Sequence, residues 1–167
     1  MSDLRAHDLG VSLPAGWDGR ISIRHDGATD NLVSATGTRV FAARSHPVVH
    51  LANFGLPQDR GDFGSGAVEL MGDADIFVVL FEHEPASAQT ALFRTEGMPR
   101  AVDRREFDPS NLRRAIAGQS GYQAFFNEQG RAFCLYVVLG AHARRARLVP
   151  MLNRVLATVT ISPQVAR

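Results

Sequence analysis

At 167 residues, 45% hydrophobic and 21% charged, the chain has the length of one domain and enough apolar surface to bury a full core without disulfides or metal staples. A formal net charge of +1 excludes a global field that would draw nucleic acid or an anionic membrane. All 18 basic residues are Arg, and the absence of any lysine amine removes Schiff-base chemistry, a pyridoxal-phosphate anchor and the phosphate grip of a P-loop.

The N-terminal MSDLRAHDLGVSLP has no apolar region of the signal-peptide kind, and no run approaches the roughly 18 apolar residues of a membrane helix, so the expectation is a cytoplasmic protein with no membrane partner. Arginine used in place of lysine fits a high-GC bacterial genome. The lone cysteine, Cys134, lies in the apolar run FCLYVVL and reads as a buried, inert thiol.

In chain order, LGVSLP (9–14) reads as a short strand stopped by Pro14, and GRISIRH (19–25) alternates with period two; together they predict a first hairpin, with Trp17 as a core anchor between them. Residues 26–38 are turn formers and small polar residues, predicting an exposed loop. PVVHLANFGLP (47–57) is the third strand. IFVVLFEH (76–83) is the fourth, apolar on both faces, which argues for a central position covered on both sides.

PASAQTALF (85–93) predicts a short helix opened by a proline, and FDPSNLRRAIAG (107–118) a second one, with Asp108 as N-cap, Pro109 at the first position and Gly118 past the end. GYQAFFNE (121–128) and RAFCLYVVLG (131–140) form a hairpin around Gln129-Gly130. A C-terminal helix over about 148–158 puts Leu148, Met151, Leu152, Val155 and Leu156 on one face. Pro150 must then lie in its first turn, with Arg144, Arg145 and Arg147 at or before its start.

On the residues LPAGW (13–17), DIFVVLFE (75–82) and GRAFCLYVVLG followed by LVPMLNRVLATVTI, the chain resembles the PsbP-like superfamily. That resemblance implies an α+β fold, an α/β/α sandwich whose central, mostly antiparallel sheet of about six strands is flanked by helices on both faces. It also implies a non-catalytic adaptor, chaperone or assembly factor that binds other proteins. The whole of 1–167 is expected to be a single domain, with short flexible termini at about 1–8 and 163–167.

The glycines of GDFGSGAVELMGDAD (61–75) match neither the P-loop nor the dinucleotide spacing. What remains is an element entered near Gly64, Ser65 and Gly66, with helix or strand both open for 67–71 and backbone N–H groups that could attract an anion. GQSGY (118–122) departs from the serine elbow at its fifth position, and a helix precedes Ser120 where a strand is required. His46 and His50 on an extended chain stand about 13 Å apart by strand rise, too far to share one metal ion, so His50 reads as a hydrogen-bonded core histidine.

Asp73, Asp75, Glu82 and Glu84 bracket the fourth strand as solvated ends and a turn. No catalytic residue, cofactor or metal is assigned. The leading expectation is a protein partner gripped by Arg144, Arg145 and Arg147, whose guanidinium groups are bidentate donors for carboxylates. The alternative is a small-molecule pocket near the third and fourth strands, around His50, Asn53 and Glu82. Oligomeric state is left open.

Overall fold

The structure, a computed structural model, describes residues 1–25, 32–33, 39–40 and 45–165. Its centre is two strands in which every residue is buried, β7 (Ile76–Glu82) and β9 (Arg131–Leu139), paired antiparallel with Ile76 opposite Leu139. The labels follow chain order. Before these strands come β1 (Ser2–Ala6), β2 (Leu9–Leu13), β3 (Asp18–His25), the two-residue strands β4 (Leu32–Val33) and β5 (Arg39–Val40), and β6 (Ser45–Ala52). β8 (Ser120–Glu128) precedes β9, and α1 (Arg145–Leu156) and β10 (Thr160–Ile161) follow it.

β3-β6-β7-β9-β8 form one antiparallel five-stranded sheet, β1-β2-β10 a second sheet of three, and β4-β5 a ribbon. Because side chains alternate along each strand, the central sheet has two faces of different character. One carries Val49 and Leu51, then Ile76, Val78 and Leu80, then Phe133, Leu135, Val137 and Leu139. α1, through Leu148, Leu152, Val155 and Leu156, and the small sheet, through Leu9, Val11 and Ile161, close over it. Each such fully buried side chain contributes about 1.5–3 kcal/mol.

The other face carries Val48 and Ala52, Phe77, Val79 and Phe81, and Cys134, Tyr136 and Val138. It is covered by chain, not by helices, which corrects the α/β/α sandwich: the only α-helix among the described residues is α1, on the first face. The expected helix at 85–93 is two 3-10 turns, Pro85–Gln89 and Ala91–Phe93, broken where Thr90 turns extended at ψ 158°. At 107–118, Asp108 does cap, its carboxylate accepting from the Ser110 N–H at 2.7 Å, but the turn ends after Asn111 because Leu112 is extended at ψ 135°. The next N–H, of Arg113, is taken by the Tyr136 hydroxyl at 3.0 Å instead of by a helical carbonyl. Tertiary bonding overrides a helix propensity that is weak in so short a segment.

Three other elements differ from expectation. β2 joins β1 and β10 and not β3, so residues 1–8, expected to be a loose terminus, include a paired strand. α1 starts at Arg145, which places the exposed Pro150 in its second turn. Proline there gives up the bond to the Ala146 carbonyl, tolerable on a solvent-facing side. Residues 67–71 are a 3-10 turn, Val68–Leu70, whose N-cap is Ala67. The stretch 26–38 lies outside the described residues except for β4. Gln129 and Gly130 turn the β8–β9 hairpin at φ 55° and 72°.

No helix of the described residues is long and apolar enough to cross a membrane.

Candidate functional site

The residues expected to share a pocket, His50, Asn53 and Glu82, are not brought together. His50 lies on the second face, stacked on Phe77 with ring centroids 5.6 Å apart. Arg60 Nε donates to its Nδ1 at 2.9 Å, so its Nε2–H donates to the Asp62 carbonyl at 2.8 Å. Burial lowers its pKa first of all, and Arg60 lowers it further against the opposing pull of the Asp62 carbonyl, which fits a neutral, structural imidazole.

Asn53 ties the end of β6 to the start of β7, donating to the Ala74 carbonyl at 2.9 Å and accepting from the Ile76 N–H at 2.7 Å. Glu82 points to the first face at the far end of β7. There its carboxylate is 2% exposed and held bidentate by Arg131, through Nε at 2.9 Å and Nη2 at 2.7 Å. Arg131 also donates to the carbonyls of His7, Asp8 and Ser162. The sequence hid this pair because Glu82 sits at a strand end, where a carboxylate usually meets water.

Three N–H groups of the glycine segment are bonded within the chain. Gly66 donates to the Glu69 carboxylate at 2.7 Å, Gly64 to the Gly61 carbonyl at 3.0 Å, and Gly61 to the Ser65 carbonyl at 2.8 Å. Gly64 and Gly66 take φ of +91° and +87°, and a Cβ would stand 2.5 Å from the Phe77 ring or 2.6 Å from the Asp59 carbonyl oxygen. These glycines therefore let a tight loop lie on the second face of the sheet. An external anion at the nominated site of Gly64, Ser65 and Gly66 would meet the Glu69 carboxylate already on the Gly66 N–H.

Nor do the nucleophile and acid–base candidates assemble. Ser120 and Cys134 are fully buried, and burial pushes the Cys134 thiol pKa up. Asp73 and Asp75 precede β7 while Glu82 and Glu84 lie at its far end, roughly 20 Å away by strand rise. No group of three or more His, Cys, Asp or Glu is placed to hold a metal ion among the described residues.

The arginines do gather at one place. Arg144 is the N-cap of α1, exposed, with its guanidinium 4.0 Å from the Asp73 carboxylate. Arg145 folds back to donate to the His142 carbonyl at 2.9 Å, and Arg147 is exposed in the first turn. Beside them runs an open groove of about 720 Å³, lined by Leu112, Ala115, Ile116, Ala141 and Ala143 among others. A smaller recess of about 220 Å³ lies across the same 112–119 segment, lined by Phe63, Val68, Arg113, Gln119 and Tyr136 among others.

Both hollows were missed in the sequence. The spacing of Leu112 and Ile116 fits one face of a helix and points to burial, whereas in the irregular segment Leu112 lines both hollows and Ile116 the larger one. No protein-family model, no curated protein and no solved structure matches the chain.

Proposed function

We propose that the protein is a non-catalytic adaptor or assembly protein that works by protein contact, and that it receives an acidic segment of its partner along the groove beside Arg144 and Arg147. The observation that carries this reading is the charge at the start of α1. Arg144, Arg145 and Arg147 cluster at the positive end of the helix dipole, and the first turn holds no acidic residue. Each cation there is unfavourable by about 0.3–1 kcal/mol. The Asp73 carboxylate, itself 73% exposed and at 4.0 Å, offsets little of that.

A partner carboxylate would relieve the repulsion, and the adjoining alanine-rich floor with Leu112 and Ile116 takes apolar side chains of the same segment. The buried Ser120 and Cys134 and the separated carboxylates support the non-catalytic part of the reading. The same reading has the protein act in the cytoplasm, a compartment compatible with the lone reduced thiol of Cys134.

The test is a photo-cross-linker at Ala117, used in cells of the source organism to capture the partner, followed by binding of the two purified proteins. The double reversal Arg144→Glu with Arg147→Glu is expected to weaken binding at least tenfold while the melting temperature holds or rises, carboxylates suiting the helix N-terminus, and Ile116→Glu to weaken binding likewise in a chain that still folds. Binding indifferent to both variants, or turnover of a small molecule by the purified protein, would sink the proposal.

A further inference from the structure

We infer that the 220 Å³ recess is a binding site for a small carboxylate with an apolar body and a hydroxyl group at its inner end. This inference is independent of the docking groove and would survive its failure. Three observations converge on it. The first is size and lining: roughly 150 Å³ already admits a benzene ring, and Phe63, Val68, Leu112 and Val138 supply apolar walls.

The second is a pair of unspent hydrogen-bonding groups on buried side chains. Gln119, 3% exposed, donates through Nε2 to the Val68 carbonyl at 2.8 Å, which fixes its orientation and leaves the buried Oε1 without a partner among the described residues. Tyr136, 2% exposed, accepts from the Arg113 N–H at 3.0 Å, and its own hydroxyl proton meets no acceptor among the described residues. A buried polar group left this way costs about 1–3 kcal/mol. A ligand hydroxyl is the simple group that answers both, accepting from Tyr136 and donating to Gln119.

The third is charge. Arg114 is spent on the Glu69 carboxylate at 2.6 Å, but Arg113 has no carboxylate partner among the described residues. Its guanidinium carbon stands over the Phe63 ring, 3.5 Å from the centroid, on an exposed residue that also lines the recess. Placed so, the guanidinium is pre-aligned to take a carboxylate with two parallel N–H donors. Hydroxyl inside, ring between, carboxylate at Arg113 describes a hydroxyaryl acid.

The experiment uses the full chain and three probes: 4-hydroxyphenylacetate, phenylacetate and p-cresol. Calorimetry gives the affinities, and the Gln119 side-chain NH₂ signal, followed by NMR, reports the place. The expected result is binding of 4-hydroxyphenylacetate with a shift of the Gln119 signal. Phenylacetate and p-cresol are expected to bind at least about tenfold more weakly, each having lost one polar group and the contacts it makes. Arg113→Met, which keeps a side chain over Phe63, is expected to bring 4-hydroxyphenylacetate down to the level of p-cresol and to leave p-cresol unchanged.

No detectable binding at the solubility limit, equal affinity for all three probes, or shifts mapping away from Gln119 would each overturn the inference. The wild-type measurements decide it even where a variant fails to fold.

Discussion

The two faces of the central sheet are built from the same strands and are finished in opposite ways. On the first, a helix and a second sheet close an apolar core, and the buried pair of Arg131 and Glu82 is saturated: Arg131 spends its donors on Glu82 and three backbone carbonyls. On the second, irregular chain lies over Phe77, Phe81, Tyr136 and Val138, held by single polar links such as Gln119 to Val68 and Arg113 to Tyr136, and it leaves two hollows. Regular elements satisfy their own backbone and fill space with side chains. Loops must find partners one by one, and the places where they fail are the places a ligand can be recognised.

That contrast can be broken most severely at the clasp. Arg131→Met strands a buried carboxylate and is expected to cost about 3–5 kcal/mol in urea denaturation, whereas Arg131→Met combined with Glu82→Leu is expected to recover a large part of it. Leu152→Ala, opening a hole in the first face, should cost about 2–5 kcal/mol.

On the second face the expected effects are smaller and tied to conditions. Burial lowers the pKa of His50 and of His83, so the unfolded chain takes up protons first as pH falls below the ordinary histidine value of about 6.5. Stability is therefore full above that value and declines from there toward the lowered folded values. Melting temperature against pH is expected to show this decline, and His50→Gln to make it shallower. Ile116→Ala, at a half-buried wall of the groove, should change stability by less than about 1 kcal/mol. Amide exchange should sharpen the same line, with β7 and β9 opening only globally and residues 109–119 exchanging through local openings.

The sequence announced the first face far better than the second. β7 and β9 were legible because runs apolar in both registers have few uses other than a central strand, and the Gln129-Gly130 turn between β8 and β9 is a local signal. α1 was legible from its 3.6-residue stripe, though not its start, since arginines at a helix N-terminus run against the dipole. The sandwich expectation failed where short segments were asked to be helices. At 107–118 the cap at Asp108 was visible, but the Tyr136 hydroxyl that draws Arg113 out of the helix lies in a strand over 20 residues later. Glu82 was misplaced for the same reason: its partner Arg131 is 49 residues away, and no local pattern distinguishes a paired from a solvated carboxylate at a strand end. The sandwich implied by resemblance needed helices at such segments to cover its second face, and it gives way with them.

The clasp also sets the order in which the molecule can be completed. The bond from Arg131 to the His7 carbonyl spans 124 residues of chain, and that from Thr158 to the Ser12 carbonyl spans 146. On the ribosome, β2 can pair at once with β1, but its other edge stays open until β10 has been made. Glu82 likewise leaves the tunnel long before Arg131, and must stay hydrated until it arrives. Contacts of such long sequence separation make for slow closure, and an unpaired apolar strand edge is a template for pairing with other chains. The nascent chain is thus vulnerable at that edge until β10 has left the tunnel, and its yield on overexpression should follow how fast that segment is delivered.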